Sequence, residues 1–146
     1  MSTLLSLVQQ HYDTLGRGDL DDAVELFDPA VETMTPNGTL KGLDEFRALG
    51  ETFRTAMSDM HHEIIRSYEL GDTVVVEGVF SGIHTGPMVG PDGAIPATGN
   101  TVTFPFADFL QYREGKCVSH RIYWDNVTLL AQLGAVPQGQ NRNRAA

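Results

Sequence analysis

The feature of this sequence that constrains its fold most is a change of hydrophobic period near residue 61. Before this point, apolar residues recur at every third or fourth position, which is the spacing of a helix with one buried face. After it, apolar and polar residues alternate, which is the spacing of a half-buried β-strand. A chain with helices first and strands second must pack its helices on one face of a sheet, so the sequence predicts an α+β fold.

Three helices are predicted in the first half of the chain. The apolar face of the first helix consists of Leu4, Leu5, Leu7, Val8, His11, Tyr12 and Leu15. Asp19 is a suitable N-cap for a second helix over residues 20–27. A brief strand over residues 31–34 and a turn over residues 36–38 come before a third helix over residues 43–57.

Four strands are predicted in the second half, over residues 61–70, 73–83, 100–113 and 116–127. Short turns join the first two strands and the last two, so we expect four consecutive antiparallel strands. The connection over residues 85–99 is rich in Gly and Pro and longer than a tight hairpin needs. We therefore expect a loop over one end of the sheet.

The predicted elements form a single domain over residues 1–137, as the length of 146 residues allows. A last short helix is expected over residues 128–133, and residues 138–146 contain nothing to bury and are expected to form a disordered tail. The predicted architecture is a cone-shaped barrel of a curved antiparallel sheet, wrapped by the N-terminal helices around one apolar pocket.

Charge and composition disfavour several kinds of partner. The net charge of −9, with ten scattered Lys and Arg residues, makes nucleic acid an improbable ligand. We expect no membrane association, because no stretch approaches the roughly 20 apolar residues of a membrane span. The N-terminus lacks a basic region ahead of its apolar residues, so we expect no signal peptide and a cytoplasmic location.

Cysteine and histidine usage predicts neither a disulfide nor a metal site. Cys117 is the single cysteine, and His61 and His62 lack the spacing of known zinc motifs. No glycine-rich phosphate motif is present, and we expect no cofactor. Helices on one face leave the other face of the sheet uncovered, so we expect a homodimer with Val75, Val79 and Ile83 as candidate contacts.

Several segments, taken in order, carry a resemblance to a known family. They are YDTLGRGDL at 12–20, GIHTG at 82–86, IPATGNTV at 95–102, GKCVSH at 115–120 and LLAQLG at 129–134. Together with Asp125 they resemble the SnoaL-like polyketide cyclases of the nuclear-transport-factor-two-like superfamily, which also contains ketosteroid isomerase and limonene epoxide hydrolase. The resemblance covers nearly the whole chain.

The resemblance implies a cofactor-free acid/base enzyme that acts on a hydrophobic, polyketide-like or polycyclic carbonyl compound. Intramolecular aldol cyclisation is the specific expectation; isomerisation, epoxide hydrolysis and a non-catalytic small-molecule-binding module are the alternatives. The chain departs from the family pattern at two places. Leu110 stands where the cyclases have a histidine two residues after the aspartate that Asp108 matches, and Arg121 follows His120 where a tryptophan is expected.

Asp125 is the leading catalytic candidate, because the resemblance places it at the general acid/base of the cyclases. Its neighbours Ile122, Tyr123, Trp124 and Val127 are apolar, and desolvation among them would raise the pKa of its carboxyl group. The alternative is an N-cap of the last helix, a role that Asp fills well.

Asp108 and His120 are the second pair of catalytic candidates. Asp108 falls within an apolar stripe of its strand, where a carboxylate needs a partner or a function. Asp108 either orients His120 for proton transfer or makes a purely structural hydrogen bond. His120 itself is either a proton shuttle or a half-buried histidine that is hydrogen-bonded to a neighbouring carbonyl group. The predicted substrate-binding residues are Tyr12, Phe80, His84, Phe104, Phe106, Leu110 and Trp124.

Overall fold

The computed structural model describes residues 2–90 and 92–135, and the predicted tail over residues 138–146 lies outside these ranges. The helices are α1 (Thr3–Gly16), α2 (Leu20–Glu25), α3 (Gly42–Ala56) and α4 (Asn126–Gln132). The strands are β1 (Phe27–Thr35), β2 (Gly38–Lys41), β3 (Met57–Leu70), β4 (Thr73–His84), β5 (Met88–Gly90), β6 (Gly93–Ile95), β7 (Thr101–Arg113) and β8 (Lys116–Trp124). The predicted α+β class is confirmed.

Side-chain N-caps stand at the start of α1 and α2, and the cap of α2 is the predicted Asp19. The Ser2 hydroxyl accepts a hydrogen bond from the backbone N–H of Leu5 at the start of α1, and the Asp19 carboxylate accepts one from Asp22 at the start of α2. The α1 helix buries one stripe, at Val8, His11, Tyr12 and Thr14, against the sheet. The helix layer is therefore held by one face of each amphipathic helix.

The main sheet has six strands in the order β2-β1-β8-β7-β4-β3. The predicted meander of four strands is present as β3, β4, β7 and β8, but the prediction missed that β1 and β2 extend it. The β1 and β8 strands pair in parallel, with a register shift between Phe27 and Glu32. A pairing between strands so distant in sequence leaves no turn signal, which is why the sequence pattern did not reveal it.

The loop over residues 85–99 contains the short β5–β6 hairpin and is fixed at both ends. The backbone N–H groups of Thr85 and Gly86 donate to the carbonyl oxygen of Ala56 at 3.0 and 3.1 Å, at the end of α3. At the other end, Gly99 N–H donates to the His84 carbonyl at 2.8 Å. The loop is thus held against α3 and the end of β4.

The inner face of the sheet forms the core. Along β4 and β7 every second residue is buried, as the strand period requires, including Val76, Phe80, Phe104 and Leu110. Gly78 is one of the buried positions of β4, and an added Cβ there would lie 2.5 Å from the Phe106 ring. The Phe106 ring of β7 therefore lies across the β4 backbone and forms part of the inner wall.

The outer face of the sheet carries apolar residues with no helix over them in the described residues. Val75, Val79 and Ile83 alternate on β4 with the core residues and are half-buried, and Tyr123 of β8 is 45% exposed. Residues 2–90 and 92–135 contain no helix that is long and apolar enough to cross a membrane. We propose that a second copy of the chain covers this outer face.

This proposal predicts a homodimer in solution. Sedimentation at micromolar concentration should give twice the chain mass of 16.0 kDa. Val79→Glu places a charge in the proposed interface and should shift the protein to monomer, whereas Val89→Glu places the same charge on the separate β5–β6 hairpin and should not. A monomeric wild-type protein would contradict the proposal.

Candidate functional site

One apolar pocket opens between the inner face of the sheet and helices α1, α2 and α3. Its cavity volume is about 100 Å³. Five of the seven predicted substrate-binding residues line it, namely Tyr12, Phe80, Phe104, Phe106 and Trp124. Asp108 and His120 also line it, so the structure brings two of the three predicted catalytic residues to the same place.

A buried hydrogen bond joins Tyr12 of α1 to Asp108 of β7. The Tyr12 hydroxyl donates to Asp108 Oδ2 at 2.5 Å, and both residues are only 3% exposed. Burial, and then the negative charge of Asp108, raise the pKa of Tyr12 well above its usual value. Tyr12 therefore keeps its proton and acts as a donor.

The second oxygen of Asp108 has no hydrogen-bond partner among the described residues. A carboxylate buried in this way loses hydration that one hydrogen bond replaces only in part. The Oδ1 atom is thus a hydrogen-bond acceptor without a partner, in a residue that lines an apolar pocket.

The strand register brings His120 close to Asp108. Leu110 pairs with His120, and Asp108 pairs with Ile122, so the two polar side chains are diagonal neighbours on the inner face of the β7–β8 pair. His120 Nε2 lies 3.6 Å from Asp108 Oδ2, which is longer than a hydrogen bond. Neither ring nitrogen of His120 has a hydrogen-bond partner in the part of the chain that the structure describes.

Two further histidines line the pocket. The His62 ring of β3 stacks on the Tyr12 ring, with 4.9 Å between centroids and 7° between planes. Burial lowers the pKa of His62 to about 4, and burial also lowers the pKa of His11 well below its usual value. Both rings are therefore neutral at pH 7.

The sequence pattern did not assign His62 and His11 to the pocket. The sequence indicates no metal-binding role for His62, and it places His11 only on the apolar face of the first helix. The signal for His62 lay in the strand period, because His62 and Phe80 pair across β3 and β4 on the inner face.

Among the described residues, no group of three or more His, Cys, Asp or Glu side chains could hold a metal ion.

The sequence pattern of the SnoaL-like polyketide cyclases matches residues 6–133. The chain belongs to this family. Among solved structures, IdmH from Streptomyces antibioticus, with a proposed assignment as a polyketide cyclase, is 25% identical with a TM-score of 0.75, over 90% of this chain and 98% of that one. No curated protein sequence matches the chain significantly.

Two other structures share the fold of this SnoaL-like protein. AclR from Streptomyces galilaeus, with a proposed assignment as a hydroxylase, is 21% identical with a TM-score of 0.80, over 92% of this chain and 97% of that one. A SnoaL-like protein from Jannaschia sp. CCS1, with a proposed assignment as a polyketide cyclase, is 19% identical with a TM-score of 0.79, over 92% of this chain and 94% of that one.

The position predicted for Asp125 in this SnoaL-like protein is wrong. Ile122 and Trp124 of β8 line the pocket, so the next residue faces away and begins α4 as an exposed N-cap. Its carboxylate accepts hydrogen bonds from the Thr128 hydroxyl and from the backbone N–H groups of Val127 and Thr128. The hydrogen bonds from Thr128 and Val127 lower the pKa of Asp125, which is opposite to the predicted direction.

Two predicted substrate-binding residues also lie outside the pocket. His84 ends β4, where its Nδ1 lies 2.9 Å from the Thr98 hydroxyl and fixes the long loop. Leu110 lies two residues beyond Asp108 on the inner face and is fully buried in the core beside the Tyr112–Cys117 pair. Neither side chain lines this cavity, because strand period predicts which face a side chain occupies but not its distance from the cavity.

The first prediction from the site concerns acid stability. Unfolded His62 titrates near pH 6.5, and the native pKa is about 4, so the unfolded state alone binds the proton between these values. The free energy of unfolding should therefore fall as pH is lowered from 7 to 4, by at most about 3 kcal/mol from this residue. Urea denaturation of His62→Phe, which keeps the ring stack, should show a smaller fall; exposed His61→Phe should match the wild type.

The second prediction concerns Asp125 as an N-cap. Asp125→Ala should lower the melting temperature by a few degrees, because two backbone N–H groups of α4 lose their acceptor. Since the native pKa is lowered, this difference should be complete at pH 7, begin to shrink below about pH 4 and be lost as the pH falls through the lowered native pKa. Asp13→Ala, which removes an exposed carboxylate late in α1, is the matched control. An unchanged melting temperature would contradict the assignment.

Proposed function

We propose that this protein is a cofactor-free acid/base enzyme that acts on a hydrophobic, polyketide-like or polycyclic carbonyl compound. Asp108 is the general base in this proposal, in place of Asp125. The observation that carries it is the buried carboxylate of Asp108, with one oxygen held by Tyr12 and the other free, at an otherwise largely apolar pocket. Family membership supports a reaction of the cyclase type.

Intramolecular aldol cyclisation is the reaction that we favour. Asp108 Oδ1 takes a proton from the carbon next to a substrate carbonyl, and the C–H electron pair forms an enolate. The enolate carbon attacks a second carbonyl of the same molecule, which forms the C–C bond and leaves an alkoxide. The alkoxide takes a proton from His120, and the proton held by Asp108 passes to His120, so both residues return to their starting states. The product is therefore an isomer of the substrate, and no co-reactant is consumed.

Tyr12 and His120 have supporting roles in this proposal. The Tyr12 hydroxyl fixes the plane of the carboxylate, because it binds Oδ2 and leaves Oδ1 for the substrate. His120 has ring nitrogens without partners among the described residues and lies 3.6 Å from Asp108, so it is placed to donate a proton to the developing alkoxide.

Isomerisation would use the same base without forming a C–C bond, and epoxide hydrolysis would use it to activate water.

The second candidate function is a non-catalytic small-molecule-binding module. Leu110 favours this alternative, because it stands at the family's histidine position and is buried in the core. The cytoplasmic location stays a prediction.

The proposal predicts that Asp108→Asn removes proton abstraction. Exchange of the α-protons of 2-tetralone, a bicyclic ketone, can be followed by NMR in D₂O. The wild-type protein should accelerate this exchange above the buffer rate, and Asp108→Asn should reduce the enzymatic rate by about 10²–10⁴-fold. Asp125→Asn, which removes a carboxylate outside the pocket, should keep the wild-type rate. Full exchange activity in Asp108→Asn would exclude Asp108 as the base.

A further inference from the structure

Arg47 of α3 is the one Lys or Arg residue in the lining of the pocket, within the part of the chain that the structure describes. Its Nη1 donates to Asp21 Oδ1 of α2 at 2.5 Å, and its side chain is 41% exposed. A guanidinium has five N–H donors in a planar fork, and Asp21 is its one partner among the described residues. Arg47 therefore has donors available where the pocket meets solvent.

The packing of α2 on α3 places Arg47 at this boundary. An added Cβ at Gly50, one turn after Arg47, would lie 2.9 Å from Leu20 Cδ2, so the glycine allows α2 to approach α3 closely. Leu20 and Gly50 both line the pocket, and the Arg47–Asp21 pair lies on the more exposed side of the same contact. The contact between α2 and α3 is thus apolar on the side of the pocket and charged on the side of the solvent.

Electrostatics decide which part of a substrate can bind at the inner end of the pocket, beside Asp108, and which part can bind at its mouth, beside Arg47. Asp108 and the apolar rings inside the pocket disfavour an anionic group, and the net charge of −9 disfavours anions over the protein as a whole. A ketone group with an acidic C–H bond next to its carbonyl fits beside Asp108. A carboxylate on the same molecule fits only where Arg47 can bind it, with two N–H groups toward two oxygens.

We propose that Arg47 forms a carboxylate-binding subsite at the mouth of the pocket, so that the substrate is a keto acid with its ketone inside and its carboxylate outside. This inference rests on the proposed function, because it assumes that a carbonyl compound fills the cavity. The opposing explanation is that the Arg47 stem only covers apolar surface while the head pairs with Asp21, as many surface ion pairs do. The two explanations differ in whether the charge of the ligand matters.

Trp124 allows a direct binding test, because it is the single tryptophan of the chain and lines the pocket. Its fluorescence reports occupancy by 4-acetylbenzoate and by the isosteric neutral probe 4-acetylbenzamide. A biphenyl pair, 4'-acetylbiphenyl-4-carboxylate and its amide, covers a longer distance between ketone and carboxylate. In low salt, the wild-type protein should bind at least one carboxylate about 5–20-fold more tightly than its amide, and 1 M NaCl should weaken this preference.

Three variants separate the charge from the packing. Arg47→Met keeps an apolar stem and should abolish the preference for carboxylate without weakening amide binding. Arg54→Met removes the same charge from an exposed ion pair with Glu51 on the same helix, outside this pocket, and should keep the preference. Asp21→Asn frees the guanidinium and should strengthen carboxylate binding about 2–5-fold with the amide unchanged.

The outcomes distinguish this inference from the proposed function. Equal binding of carboxylate and amide to the wild type, or a carboxylate preference that survives in Arg47→Met, overturns the subsite and leaves the acid/base proposal intact. Failure of all four probes to bind overturns both, because a pocket that does not hold an aryl ketone gives Arg47 no substrate to anchor. The predicted pattern across the three variants supports the subsite.

Discussion

The hydrogen bond between Tyr12 and Asp108 is the interaction on which the site depends. It joins the first helix to the middle of the sheet at the pocket and gives a buried carboxylate its one hydrogen bond among the described residues. Without it, both oxygens of Asp108 would be buried and unpaired, at a cost of about 1–3 kcal/mol. The His62 ring, stacked flat on Tyr12, holds the donor in place. The site is therefore preorganised by the packing of the helix layer on the strands.

The interior of this protein retains several polar atoms that its own described residues do not satisfy. Seven buried side-chain atoms have no hydrogen-bond partner there, and five of them belong to residues that line the pocket, namely Asp108 Oδ1, both ring nitrogens of His120 and one nitrogen each of His11 and His62. The other two are Thr33 Oγ1 and His84 Nε2. In a stable core such groups are rare because each costs free energy. Their concentration around one pocket is consistent with a surface shaped to meet polar atoms of a ligand, which is where departures from ideal packing are expected.

Much of the fold was predictable from the sequence, and less of the site. The helices and the four long strands followed from hydrophobic period and capping residues, within a few positions of their observed ends. The parallel pairing of β1 with β8 was missed, because no local signal links strands so far apart. The sequence pointed to Asp108 because a polar residue in an apolar stripe is conspicuous, and to His120 because it lies across the predicted hairpin from Asp108. Asp125 was misplaced because the resemblance does not show that the residue after Trp124 leaves the strand and caps a helix.

The glycine at position 78 has a consequence for how this pocket can change. The Phe106 ring occupies the space that a Cβ at position 78 would need, and the carbonyl oxygen of Glu63 lies 2.6 Å from that point on the neighbouring strand. Any other residue there would push the ring into the cavity or separate two paired strands. At Phe106 the wall of the cavity is therefore fixed by backbone geometry, so a change in the size or shape of the ligand has to be accommodated by other residues of the lining.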